Sequence, residues 1–196
     1  MEAFGWSHKA ATHGNAKAQY IVGLMYLVGN GIPQNYTETR KWFRRAAAQG
    51  DVHAEYPLGQ MSYHGDGVPQ NYTEAFKLYR KAASQGDPDA EYAVGVMYDK
   101  GQGVPQNFEE AAAWYRKSAD QGNADAQNYL ASMYYAGLGV PQNYVVAYML
   151  LNIAAASGNS NAIKNRDLIL TKMTQAQVAK GQELSLKWKP GMPLPE

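Results

Sequence analysis

Histidines are the side chains of this sequence most able to hold a metal ion or to transfer protons near neutral pH. There are four, His8, His13, His53 and His64, and none forms a His-Glu-x-x-His pair. His53 and His64 would lie about three helical turns apart, roughly 16 Å along a helix axis, which is too far for one metal ion. The chain has no cysteine, so thiolate ligands, thiol nucleophiles and disulfides are excluded. We predict no metal site and no cofactor.

Closely spaced carboxylates are the other candidates for acid-base chemistry. Asp87 with Asp89 and Glu109 with Glu110 form two such pairs. Both pairs lie at predicted helix starts, where the helix dipole favours negative charge. The Gly-Asp-Gly segment at 65–67 lacks the lysine of a phosphate-binding loop, and no Gly-x-Ser-x-Gly elbow occurs. A structural role explains these residues, so we predict no catalytic residue and no enzyme.

Charge and hydropathy exclude two classes of partner. The 196 residues include 18 basic and 17 acidic side chains, a net charge of +1, which provides no general attraction to nucleic acid or anionic lipid. No run approaches the 18 apolar residues of a membrane span, and the first residues lack the pattern of a signal peptide. We expect a soluble protein, cytoplasmic or periplasmic, that binds neither nucleic acid nor membrane.

The elements that position these residues follow from an internal repeat. The tetrapeptide Pro-Gln-Asn-aromatic occurs four times, each 36 residues after the last, starting at Pro33, Pro69, Pro105 and Pro141. A fixed period of this size indicates a repeat protein. Each unit is too short to bury a core alone, so neighbouring units must stack and present a long surface. Such a surface favours binding over catalysis.

The second unit shows how one repeat is built from two helices. Asp51 is a predicted N-cap for helix A, about 52–64, and the glycines of 65–67 end it. Asn71 caps helix B, about 72–84, with Glu74 at the spacing of a capping box. Pro57 stands in the middle of helix A, where proline costs roughly 3 kcal/mol and kinks the helix. Small residues recur at one position of helix A, which indicates close contact with a neighbouring helix; they are Gly23, Gly59, Gly95 and Ala131.

The period also defines the domain boundaries. We predict a partial B helix at 1–14, repeats at 15–50, 51–86, 87–122 and 123–158, a degenerate capping repeat at 159–188 and a frayed tail at 189–196. Because no A helix precedes the first B helix, Phe4 and Trp6 lack a cover. We expect either a longer natural chain or contact between copies through this end. Thr174 is the predicted N-cap of the last helix, with Val178, Leu184 and Trp188 facing inward.

The repeated residues resemble a known family. Residues 90–98, Ala-Glu-Tyr-Ala-Val-Gly-Val-Met-Tyr, and residues 114–122, Trp-Tyr-Arg-Lys-Ser-Ala-Asp-Gln-Gly, are similar to the Sel-one-like repeat family, a relative of the tetratricopeptide repeats. The resemblance implies an all-α fold, an α/α right-handed superhelix, or solenoid, of 36-residue helix-turn-helix repeats. It implies A helices on the concave side and a protein-protein interaction scaffold or adaptor. Some cysteine-rich relatives bind or hydrolyse penicillin-like compounds, so a hydrolase of small amide or ester compounds is the alternative.

Residues that vary among the repeats on helix A define a candidate binding surface, which we call the A-helix face. Their offsets within the helix place them on one side, away from the invariant stacking positions. Tyrosine suits recognition there because it combines contact area with a hydroxyl group. The alternative is that Tyr20, Tyr56 and Tyr92 merely pack against the next A helix. The predicted partner-binding residues are Tyr20, Leu24, His53, Tyr56, Gln60, Tyr63, Asp89, Tyr92, Val96, Asp99, Asp125, Asn128, Ser132 and Tyr135.

Overall fold

The structure is a computed structural model that describes residues 2–195. These residues form α-helices and one short 3₁₀ helix and no β-strand, and the chain divides between Gly86 and Asp87 into two compact units. The first unit contains α1 (Glu2–Thr12), α2 (Ala16–Val28), α3 (Tyr36–Ala48), α4 (Glu55–His64) and α5 (Tyr72–Ala83). The second contains α6 (Pro88–Lys100), α7 (Phe108–Asp120), α8 (Ala124–Ala136), α9 (Tyr144–Ala156), α10 (Ser160–Leu170) and α11 (Gln175–Lys187).

Consecutive helices pack on each other within both units. In the first unit α2 pairs with α3 and α4 with α5, and in the second α6 pairs with α7 and α8 with α9. These pairs are the A and B helices of the predicted repeats. The predicted all-α fold of repeated helix pairs is confirmed.

The Pro-Gln-Asn segment joins each B helix to the end of the A helix before it. The Asn71 N–H donates to the carbonyl of Ser62 at 2.8 Å, and Gln70 Nε2 donates to the carbonyl of Tyr63 at 2.8 Å. Carbonyls in the last turn of a helix have no intrahelical partner, so these bonds satisfy them. Asn71 Oδ1 also accepts from the Glu74 N–H at 2.9 Å and caps α5. The other three turns have the same three bonds, which explains why the motif repeats.

The small residues of helix A face the aromatic ring of their own B helix. A Cβ built on Gly23 would lie 2.5 Å from the Phe43 ring, and the corresponding distance from Gly95 to the Tyr115 ring is 2.7 Å. Gly59 faces Tyr79 in the same way. The close neighbour predicted from the sequence is therefore a buried ring of the paired helix.

Pro57 does not lie in mid-helix, and the predicted start of that helix at residue 52 is wrong. Residues Val52–Ala54 form a 3₁₀ turn, and α4 begins only at Glu55. Pro57 is thus the third residue of α4 and lies in its first turn. Backbone N–H groups of the first turn have no intrahelical partner, so the missing N–H of proline costs no hydrogen bond there. The physical cause is the proline ring, which would clash with the carbonyl of His53 in a longer α-helix.

The C-terminal tail is packed against the second unit, so the prediction of a frayed end is wrong for residues 189–195. Leu194 is only 4% exposed and belongs to the main hydrophobic cluster of this unit. Its N–H donates to Asp120 Oδ1 at 2.9 Å, and the Gly191 N–H donates to the Asp120 carbonyl at 2.7 Å. Arg116 Nη1 donates to the Leu194 carbonyl at 3.1 Å. The end of α7 therefore holds the tail by its backbone.

The last helix agrees with its sequence pattern. Thr174 forms a capping box with Gln177 at the start of α11. Val178, Leu184 and Trp188 are half-buried against the main cluster, as predicted.

At the other end of the chain, Phe4 packs edge-on to Tyr26 at 5.6 Å, whereas Trp6 is 74% exposed.

Candidate functional site

In the first unit, the tyrosines of the A-helix face lie against aromatic rings of the B helices. The Tyr20 ring stacks on Phe43 at 5.5 Å and lies 5.9 Å from the His53 ring. Tyr56 lies 5.6 Å from Tyr79. These tyrosines are half-buried, so each keeps part of its surface in contact with solvent. The rings that Tyr20 and Tyr56 contact, Phe43 and Tyr79, belong to the paired B helices.

The remaining predicted residues of the first unit extend this surface. Tyr63 lies 5.1 Å from Tyr72, and Gln60 Nε2 donates to the Tyr56 hydroxyl at 3.2 Å. Leu24 packs on the core of the unit, and His53 is exposed. The first unit therefore presents a mostly aromatic A-helix face.

In the second unit, the aromatic contacts of the A-helix face centre on Tyr115. Tyr92 lies 5.8 Å from Tyr115 and 5.7 Å from Tyr129, and the Tyr115 and Tyr129 rings stack at 5.5 Å. Burial, reinforced by the negative charge of Asp99, raises the pKa of Tyr115. Burial also raises the pKa of Asp99 above the usual aspartate value. Val96 is half-buried against the same cluster.

Two predicted carboxylates connect successive A helices. Asp89 Oδ1 accepts from Asn123 Nδ2 at 2.9 Å, and Asp125 Oδ1 accepts from Asn159 Nδ2 at 2.7 Å. Asn123 and Asn159 are the N-caps of α8 and α10. Burial, and then the charge of Asp87, raise the pKa of Asp89. These carboxylates therefore orient the next helix start while they remain exposed.

An open groove lies on the A-helix face of the second unit, and we call it the A-helix groove. It has a volume of about 590 Å³ and runs over residues of α6, α8 and α10. Four predicted residues line it, namely Asp99, Asn128, Ser132 and Tyr135. The sequence predicts Asn128 on a surface free of packing contacts, but its side chain is buried. Asn128 is only 7% exposed, and its Oδ1 accepts a hydrogen bond from Asn165 Nδ2 at 2.9 Å.

A smaller apolar cavity adjoins the groove, and we call it the Leu151 pocket. Its volume is about 140 Å³, and Ala131, Leu151 and Ile169 are its fully buried walls. Ser132, Tyr135 and Asn165 line both the pocket and the groove, so the two are continuous. Leu168 completes the lining and is 57% exposed.

Sequence reasoning missed the contribution of α10 to this site. Asn161, Lys164 and Asn165 line the groove, and Leu168 lines the pocket. The sequence pattern contained the signal, because residues 161, 164 and 168 continue the variable positions of the A-helix face by one more 36-residue step. Because the sequence pattern of residues 159–188 indicates a capping repeat, these positions are absent from the predicted binding surface.

The histidines do not gather into a catalytic or metal-binding cluster. His8 lies 5.3 Å from the Trp42 ring, His53 beside Tyr20, and His64 beside Tyr63. Across residues 2–195 no group of three or more histidines, aspartates or glutamates is arranged to hold a metal ion. The hydrolase alternative gains no support from this arrangement.

No helix within residues 2–195 has the length and apolar character that a bilayer span requires.

Comparison with known proteins identifies the class of repeat protein to which the chain belongs. The Sel1 repeat model matches residues 1–15, 16–51, 52–87, 88–123 and 124–159. The chain belongs to the Sel1 repeat family, which confirms the resemblance seen in the sequence. Proteins of this family are generally scaffolds for protein interactions, and their fold is typically non-enzymatic. No curated protein matches the chain.

Solved structures of Sel1 repeat proteins are similar to much of the chain. A protective antigen of uropathogenic Escherichia coli with an SLR fold is 34% identical with a TM-score of 0.87, over 93% of this chain and 39% of that one. A Sel1 repeat protein from Oxalobacter formigenes is 38% identical with a TM-score of 0.76, over 85% of this chain and 48% of that one. The chain thus spans less than half the length of either.

A cysteine-rich relative shares the fold alone. Cysteine-rich protein B of Helicobacter pylori is 22% identical with a TM-score of 0.52, over 63% of this chain and 92% of that one. The present chain contains no cysteine.

Proposed function

We propose that this protein is an interaction scaffold that binds a segment of a partner protein in the A-helix groove. The observation that carries the proposal is the groove itself, about 590 Å³ in volume and lined in part by variable positions of α6, α8 and α10. Ser132 and Lys164 are exposed variable positions of this groove, so their side chains can suit a ligand without a change in the core.

The chemistry of the groove suits a polypeptide. Asn161 and Asn165 provide amide donors and acceptors, which can pair with the peptide groups of an extended segment. Asp99 and Lys164 add one charge of each sign. A site of mixed polarity with an apolar pocket beside it is typical of protein interfaces.

The half-buried tyrosines of the first unit form a second candidate contact surface, separate from the groove. Tyr20, Tyr56 and Tyr63 each combine a packed ring with partial exposure to solvent. Aromatic residues of this kind are enriched among the anchors of interfaces. Because the rings also pack internally, their replacement by alanine would alter stability as well as binding.

The proposal is tested by capture of the native partner from the cells that produce the protein, with mass spectrometry of what co-elutes. The double variant Ser132→Arg/Lys164→Glu changes two exposed groove positions and should lose the partner. Lys77→Glu changes an exposed position on the B helix α5 and should retain it. The proposal is wrong if the groove variant, folded by circular dichroism, captures the partner as well as the unchanged protein does.

We also propose a contact between copies of the chain through α1. Trp6 is 74% exposed and lines a shallow surface depression with Glu2, Gly5 and Lys9. A tryptophan this exposed leaves a large apolar area in water, and a second copy of the chain would cover it.

A further inference from the structure

The Leu151 pocket lies where the preceding repeat has two aromatic rings. In that repeat the Tyr115 ring lies over Gly95 and stacks on Tyr129 at 5.5 Å. Thirty-six residues later, the positions of Tyr115 and Tyr129 are occupied by Leu151 and Asn165. Two smaller side chains replace two rings, and a cavity of about 140 Å³ remains.

The size of this cavity matches one aromatic ring. A buried protein cavity of about 150 Å³ lined by leucine, isoleucine and phenylalanine binds benzene. The fully buried walls here are likewise apolar, namely Ala131, Leu151 and Ile169. A hydroxyl group placed against these walls would lose its hydrogen bonds to water, so a phenylalanine ring fits better than a tyrosine ring.

We propose that the Leu151 pocket binds a phenylalanine side chain of a partner segment that lies in the A-helix groove. This inference rests on the proposed function, since the same segment occupies both sites. The shared lining residues Ser132, Tyr135 and Asn165 allow a side chain to enter the pocket from the groove. The internal repeat supports an aromatic occupant, because the chain fills the equivalent space one repeat earlier with its own rings.

Toluene, the side-chain analogue of phenylalanine, tests the pocket directly. It is titrated into the full chain with isotope-labelled alanine, leucine and isoleucine methyl groups and followed by NMR. We expect shifts of the Ala131, Leu151 and Ile169 methyl signals, with a dissociation constant on the order of 1 mM for so small a ligand. The tyrosine analogue p-cresol should bind several-fold more weakly. Absence of these shifts, or tighter binding of p-cresol, would overturn the proposal.

Two variants test whether toluene binds in the Leu151 pocket. Ala131→Gly/Leu151→Tyr restores the glycine-aromatic pair of the preceding repeat, fills the pocket and should weaken toluene binding more than tenfold. Leu168→Ser removes only the exposed wall and should weaken it roughly three- to tenfold. Leu186→Ser is the matched control, because Leu186 is 85% exposed and lies outside the pocket, and it should change nothing. Equal toluene binding by a folded Leu168→Ser variant would refute the assignment even if the filled variant does not fold.

Partner capture separates this inference from the proposed function. If the partner is lost with Ser132→Arg/Lys164→Glu but is retained by the filled-pocket variant, the phenylalanine proposal is wrong and the scaffold function stands. Loss of the partner with both variants supports the scaffold function and the phenylalanine proposal together.

Discussion

At the scale of single residues, the contact between a glycine and an aromatic ring determines what each repeat tolerates. A Cβ built on Gly95 would lie 2.7 Å from the Tyr115 ring, closer than side-chain carbons approach, and Tyr115 is fully buried. In the fourth repeat Ala131 occupies the position of Gly95, and Leu151 replaces the ring. The small residue and the ring therefore form a pair that changes together.

Substitution of this glycine gives a prediction with an internal control. Gly95→Ala gains about 1 kcal/mol of helix propensity but meets the ring, and overpacking costs roughly 1–3 kcal/mol. We expect a net loss of stability of up to about 2 kcal/mol in chemical denaturation. Gly5→Ala has the same propensity gain with no atom within 4 Å, so it should not destabilise the protein. Equal effects of the two substitutions would contradict the role of the ring.

The buried carboxylate of Glu91 gives a pH-dependent prediction. Glu91 is 6% exposed, and burial raises its pKa, although the hydrogen bond from Gln121 Nε2 at 2.7 Å acts in the opposite direction. A raised pKa means that the folded state holds the proton more tightly than the unfolded state. The folded state therefore loses stability as the pH rises from the unfolded pKa through the folded one.

Glu91→Gln should remove this loss. Gln19 and Gln127 occupy the same position in other repeats, so an amide fits the site. We expect the variant to be more stable than the unchanged protein at pH 7, and the advantage to shrink toward pH 4, by thermal denaturation across this range. An advantage that grows as the pH falls would contradict the assignment.

At the scale of elements, helix ends and the C-terminal tail show how neighbouring segments decide local structure. The 36-residue pattern predicted helix A of the second repeat from residue 52, but Pro57 shortens it to Glu55–His64. The tail has no regular secondary structure after α11, yet Asp120 and Arg116 of α7 hold it by hydrogen bonds. Tail residues thus form part of the folded unit.

Leu194 tests the contribution of the tail to stability. It is 4% exposed, whereas Met192 is 45% exposed in the same segment. Leu194→Ser should lower the unfolding free energy by about 2 kcal/mol, the scale of one buried leucine side chain. Met192→Ser should have little effect. Chemical denaturation of both variants checks the prediction, and equal midpoints would show that the tail does not support the unit.

At the scale of the whole molecule, the exposed tryptophan of α1 predicts self-association. Light scattering over a range of protein concentrations should show a rise in average mass, because Trp6 leaves a large apolar ring in water. Trp6→Ser should abolish the rise, whereas Leu186→Ser, which removes another exposed apolar side chain, should retain it. A constant monomer mass for the unchanged protein at high concentration would refute the contact.

The fold could be predicted from the sequence because its signals are local. The capping asparagines, the glycines of the turns and the Pro-Gln-Asn segments act on backbone groups within a few residues, or on the end of the preceding helix. The Sel1 repeat family and its paired helices followed from these signals. The variable positions of helix A also indicated part of the groove, including Asp99, Ser132 and Tyr135.

The rest depended on contacts between segments that are distant in sequence. Only the tertiary structure showed that Leu194 returns to α7, that α10 lines the groove, and that Leu151 leaves a pocket. Sequence periodicity assigns a side chain to a face of its helix but not to a neighbour, a depth or a cavity. Those properties arise when helices pack, because the free volume at one residue depends on the side chains that other helices bring to it.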